Sequence, residues 1–147
     1  MIKRIFSLSL ALITLLSIAF VLTSCKPKNM EFGKSKYVYE NKTTTAGVEE
    51  ERISELAFKR DGTGVYRHYY KVVNGGRELK IDGVVYFEWE ETSNGEIFLL
   101  ETGSEYYSYS KEGEVIKLPS SGLTFGDGFL SYTEDGVTYR YMLQKQQ

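Results

Sequence analysis

Glycine-bearing turn signals recur through most of this chain, at Asp61-Gly62, Asn74-Gly75-Gly76, Asp82-Gly83, Asn94-Gly95, Gly103, Gly113, Asp127-Gly128 and Asp135-Gly136. Asn-Gly and Asp-Gly pairs supply the left-handed backbone of tight hairpins. Between them lie short runs rich in tyrosine, phenylalanine and valine, which suit a pleated, half-buried surface. Stops this close together leave little room for helices and predict an antiparallel all-β meander.

The runs predict strands over 36–42, 53–60, 64–73, 78–81, 84–91, 96–101, 105–110, 114–118, 128–133 and 137–144. The one helical competitor, "GVEEERISELAF" from Gly47 to Phe58, carries a poor 3.6-residue stripe. Ser54, Leu56 and Phe58 alternate instead, so 43–52 reads as a loop or at most one helical turn. Many short antiparallel strands leave two open edges, and curling the sheet into a barrel removes them. A barrel of about eight strands is the expected architecture, with a two-sheet sandwich as the alternative; eight strands enclose just enough room for side chains or one small ligand.

Alternation proposes the inward faces. In "VVYFEWE", Val85, Phe87 and Trp89 share one face, and Tyr86, Glu88 and Glu90 the other. By the same rule Val137, Tyr139, Tyr141 and Leu143 fall together, as do Tyr107 and Tyr109, and Tyr66, His68, Tyr70 and Val72. The interior so defined is rich in tyrosine, and all 12 tyrosines lie beyond residue 25.

The N-terminus carries a different message. Lys3 and Arg4 precede an almost wholly apolar run, Ile5 to Leu22, which ends in Thr23, Ser24 and the only cysteine, Cys25. That is the order of a secretory signal. Leu22, Thr23, Ser24 and Cys25 resemble the lipobox of bacterial lipoproteins at every position. The resemblance implies a diacylglycerol on the Cys25 thiol, cleavage just before it, and acyl chains that hold the protein to a membrane. Each buried acyl CH₂ contributes about 0.8 kcal/mol, so two or three chains anchor stably where one does not. The expected organisation is a signal peptide over 1–24, the lipidated cysteine with a flexible tether over 25–35, and a barrel domain over 36–147.

Losing Lys3 and Arg4 with the signal takes the formal net charge from −2 to −4. Phosphate backbones need clustered positive charge, so nucleic acid is not an expected partner. With a single cysteine the domain has no internal disulfide to lean on and must be stabilised by its core.

"ELAFKRDGTGVYRHYY" followed by "VVYFEWEE" resembles the small lipocalin-like domains of bacterial lipoproteins, in which a D-G-T-G hairpin leads to a strand with an F-x-W pattern, here Phe87, Glu88 and Trp89. The implied fold is a small up-and-down barrel. The resemblance brings no catalytic residues with it.

Chemical motifs are sparse. His68 is the only histidine, and no second one accompanies it to build a zinc site. Asp61, Asp82, Asp127 and Asp135 stand on separate turns, without the spacing of a calcium loop. No G-x-S-x-G occurs, and a strand rather than a helix follows "DGTG", which removes the phosphate-loop reading. His68 reads as a structural imidazole bonded to neighbouring tyrosines.

The expectation is a non-enzymatic protein of the cell envelope, lipid-anchored to a bacterial membrane and facing periplasm or surface. It needs no metal or cofactor, and its barrel binds a small apolar or amphipathic ligand. Tyr66, His68, Tyr70, Trp89, Tyr107, Tyr109, Tyr139 and Tyr141 are the candidate lining. The alternative is an envelope or surface protein–protein interaction module with a solid core, working through outer tyrosines such as Tyr86 and Tyr106 or the loop 119–127.

Overall fold

The structure, a computed structural model, describes residues 29–109 and 115–145. Cys25 and the signal segment lie outside the described residues. Eight strands follow in order: β1 (Lys36–Thr45), β2 (Val48–Phe58), β3 (Thr63–Asn74), β4 (Arg77–Glu91), β5 (Ile97–Tyr109), β6 (Thr124–Gly126), β7 (Phe129–Glu134) and β8 (Val137–Gln144). Every pairing is antiparallel, in a single sheet of order β5-β4-β3-β2-β1-β8-β7-β6. Its two edges meet where Ile97 and Leu123 exchange backbone hydrogen bonds of 2.9 and 2.8 Å. The protein is the expected all-β meander, curled into an eight-stranded barrel rather than split into two sheets.

Four places differ from expectation. Residues 43–52 are not a loop: β1 and β2 run on to a two-residue turn at Ala46 and Gly47, whose φ values of 50° and 79° are those of a primed hairpin turn. Asp82-Gly83 and Gly103 do not turn the chain but lie inside β4 and β5. Gly83 is there for space, since a Cβ would stand 2.5 Å from the Glu105 carbonyl oxygen and 2.9 Å from Ile116 Cδ1. Residues 115–118, expected as part of a strand, run outside any strand, and the short β6 takes the place beside β7.

β5 carries two extra residues. Its register against β4 skips Thr102 and Tyr107, so the alternation resets at each bulge. This corrects the pairing of Tyr107 with the interior: at its bulge Tyr107 is 61% exposed. Tyr106, expected on the outer face, is opposite Gly83, and its hydroxyl accepts a 2.9 Å hydrogen bond from the Ile116 N–H.

Alternation in β2 and β4 sends Leu56, Phe58, Val85 and Phe87 inward, where all four are buried. Phe58 is the hub of one end of the barrel, with ring centroids of Phe87 and Phe125 at 5.5 Å, Tyr37 at 6.1 Å and Trp89 at 6.5 Å, all edge-on. Edge-to-face pairs of this kind contribute about 0.5–1.5 kcal/mol each beyond the area they bury.

The segment before β1 seals that end. Met30 is fully buried, Phe32 lies against Trp89 at 5.9 Å, and the Gly33 N–H reaches the Phe58 carbonyl. The Tyr37 hydroxyl donates to the Asn29 carbonyl and accepts from the Glu31 N–H. The stretch expected as tether as far as residue 35 is therefore part of the fold from Met30 onward. A polar composition concealed two apolar side chains, Met30 and Phe32, that pack against the core.

Candidate functional site

The other end of the barrel is open. As β2 runs Arg52, Ser54, Leu56, Phe58 along its inner face, the side chains pass from charged through polar to aromatic. Register then sets Arg52 opposite Tyr70, Ser54 opposite His68 and Leu56 opposite Tyr66. On the other side of β2, β1 contributes Tyr39 opposite Ser54, and beyond it β8 contributes Tyr139 and Tyr141 and β7 contributes Tyr132 and Glu134. With Val115 and Lys117 these enclose a recess of about 250 Å³.

The floor of the recess is one hydrogen-bonded cluster. Ser54 Oγ stands 3.0 Å from His68 Nδ1, and the Tyr66 hydroxyl donates to Ser54 Oγ at 3.3 Å while lying 3.2 Å from the same imidazole nitrogen. The Tyr141 ring closes over this cluster from β8, with ring centroids of Tyr39 at 5.5 Å and Tyr132 at 6.0 Å. Ser54 is the one fully buried polar side chain among the described residues, and this cluster satisfies it.

Burial fixes the charge state of the floor. It pushes the phenols of Tyr66, Tyr132 and Tyr141 well above their ordinary range, with neighbouring tyrosine oxygens adding to the effect in each. Burial, helped by the positive charge of Arg52, lowers His68 from 6.5 to about 4. At neutral pH the floor is uncharged throughout.

The walls are aromatic faces. Tyr132 and Tyr139 stack at 5.1 Å and 18°, Tyr39 meets Tyr139 edge-on at 5.6 Å, and the Arg52 guanidinium lies 5.2 Å over the Tyr70 ring. The site thus offers flat apolar surface with hydroxyls and charge at its margin, a combination suited to a molecule with one apolar and one polar part.

Of the residues singled out from sequence, Tyr66, His68, Tyr70, Tyr139 and Tyr141 come together here. Trp89 does not: it belongs to the sealed end, its indole N–H donating to the Lys59 carbonyl at 3.2 Å, beside a separate cleft with Phe98 and Leu100. Tyr107 is outside, and the Tyr109 side chain is outside the described residues. Sequence reasoning missed Tyr39, Arg52, Ser54, Tyr132, Glu134 and Lys117. Alternation from Tyr37 to Tyr39 and from Leu130 to Tyr132 carried a signal for two of them. Nothing in the sequence pointed to Lys117, because 114–118 reads as a strand.

Among the described residues, no group of three or more His, Cys, Asp or Glu side chains is placed to hold a metal ion. In comparison with known proteins, the chain matches no family model and no curated protein.

Proposed function

We propose that this protein is a lipid-anchored lipoprotein of the bacterial cell envelope whose barrel is a non-enzymatic binding module, taking a small amphipathic ligand in the tyrosine recess. The observation that carries this reading is the asymmetry of the barrel. The interior at one end is filled by Phe58 and its aromatic neighbours, with a cleft of about 490 Å³ only at its outer rim beside Trp89, Phe98 and Leu100, while the other end holds a recess of about 250 Å³ over a satisfied, neutral floor. That volume is below the roughly 300–1,000 Å³ of ordinary ligand pockets. A ring or short chain with one polar group fits it better than a long acyl chain.

The lipobox resemblance supports the anchor and gives the barrel an orientation. Only residues 26–29 separate Cys25 from Met30, whose side chain is fixed in the sealed end. Whatever their conformation, five residue steps span at most about 17 Å. The sealed end then faces the membrane and the recess faces away from it, so its ligand comes from the aqueous side.

Isothermal titration with small water-soluble amphipaths tests the binding function. Saturable heat is expected, lost in Tyr39→Ala and Tyr139→Ala, which remove wall rings while leaving the hydrogen bonds among Ser54, Tyr66 and His68 in place. Heat that survives both substitutions contradicts the assignment to the recess.

One observation favours a second reading, a protein–protein interaction module. Tyr86, Phe98, Leu100 and Tyr107 of β4 and β5 are exposed by 37%, 41%, 67% and 61%. Such apolar exposure along neighbouring strands suits a protein surface. Envelope proteins retained by the native chain and released by Leu100→Glu would support it.

A further inference from the structure

Hydrogen-bonding capacity at the recess is unbalanced. Of the lining carboxylates there is one, Glu134, and its Oε1 already accepts from both the backbone N–H and the hydroxyl of Ser120. Donors are in surplus. The Arg52 guanidinium has only a loose contact with Glu50 at 3.9 Å, beyond hydrogen-bond range, and otherwise rests on the Tyr70 face. Lys117 is exposed and has no partner among the described residues. The Tyr39 and Tyr139 hydroxyls also have no hydrogen-bond partner among those residues.

His68 Nδ1 is taken up by the Ser54 and Tyr66 hydroxyls, at 3.0 and 3.2 Å. Beside the one engaged carboxylate, Glu134, the lining therefore presents two cations and two neutral hydroxyls around a floor that carries no charge.

We propose that the recess is an oxyanion site: the carboxylate or phosphate of a small ligand meets Arg52 and Lys117 at the mouth, and the ligand's apolar body lies against the Tyr39 and Tyr139 rings. This rests on the binding function above and adds the sign of the ligand's charge. Arg52 is suited to the role because its planar fork matches two oxyanion oxygens at once, and because stacking on Tyr70 holds it in place beforehand.

The experiment compares 4-hydroxyphenylacetate and phenyl phosphate with the uncharged 4-hydroxyphenylacetamide and the cationic tyramine, titrated into the full-length protein at low salt and followed by backbone amide shifts. An oxyanion is expected to bind at least about tenfold more tightly than the amide, with tyramine weakest; the tighter of the two oxyanions names the headgroup. Arg52→Gln should weaken oxyanion binding by about 10–100-fold and leave the amide unchanged, as expected for losing a charge-assisted hydrogen bond. Lys117→Gln, at an exposed position, should weaken it several-fold. Equal affinity for amide and oxyanion, with shifts confined to the recess, overturns the oxyanion inference and leaves the binding function standing. No recess shifts with any of the four probes overturns both.

Discussion

Ser54 Oγ and His68 Nδ1 stand 3.0 Å apart on neighbouring strands, with the Tyr66 hydroxyl within 3.3 Å of the serine and 3.2 Å of the imidazole. The pair is where the apolar barrel interior ends and the recess begins. Ser54→Ala removes the central member and leaves a buried imidazole nitrogen with one partner in place of two. A loss of about 1–2 kcal/mol in unfolding free energy is expected, measured by urea denaturation. Ser54→Val, which also adds bulk beneath the hydroxyl cluster, should cost more.

The same histidine predicts a pH dependence. His68 titrates near 6.5 when unfolded and about 4 when folded. The unfolded chain therefore binds the proton more readily between these values, so stability is fully present above pH 6.5 and falls as pH drops toward 4. Linkage at 1.36 kcal/mol per unit sets the loss at no more than about 3 kcal/mol. Because His68 is the only histidine, its ring resonance can be followed without ambiguity. A midpoint near 6.5 in the folded protein would contradict the burial of its ring, and in His68→Gln this part of the pH dependence should vanish.

Met30 predicts where the folded domain begins. Its side chain is fully buried in the sealed end, and Met30→Ala should cost about 2–4 kcal/mol through the cavity it leaves. Met30→Asp should cost more, by burying a carboxylate with no counter-charge. If residues before β1 were only a spacer, neither substitution would move the denaturation midpoint.

Gly83 predicts a penalty for the smallest possible addition. Its φ is not left-handed, but a Cβ would lie 2.5 Å from the Glu105 carbonyl oxygen. Gly83→Ala should destabilise by about 1–3 kcal/mol, the usual range for overpacking. A turn glycine at this position would instead show a penalty set by backbone conformation, and the amide of Ile81 would exchange quickly rather than share the protection of β4.

Much of the fold was legible in the sequence because alternation and turn chemistry are local properties. Val85, Phe87 and Trp89 fell on the inner side of β4 as read, and Tyr139 and Tyr141 on that of β8. What failed was the distinction between a glycine that turns the chain and one that makes room inside a strand. Asp82-Gly83 and Asn74-Gly75-Gly76 look alike in sequence, yet only the second has positive φ. The bulges at Thr102 and Tyr107 were equally hidden, since they arise from how β5 must bend against β4. Five recess residues could be read from alternation in β3 and β8. Arg52 could not, because its inward direction follows from β2 continuing through a stretch whose composition reads as loop.

The central claim is that the recess over Ser54 and His68 binds a small amphipathic ligand, and a backbone amide shift map tests it most directly. On titration with 4-hydroxyphenylacetate, saturable shifts should concentrate at residues 52–54, 66–70 and 139–141, while Phe58, Trp89 and the outer face of β5 stay fixed. Shifts centred on Phe98 and Leu100, or none at saturating probe, would contradict it.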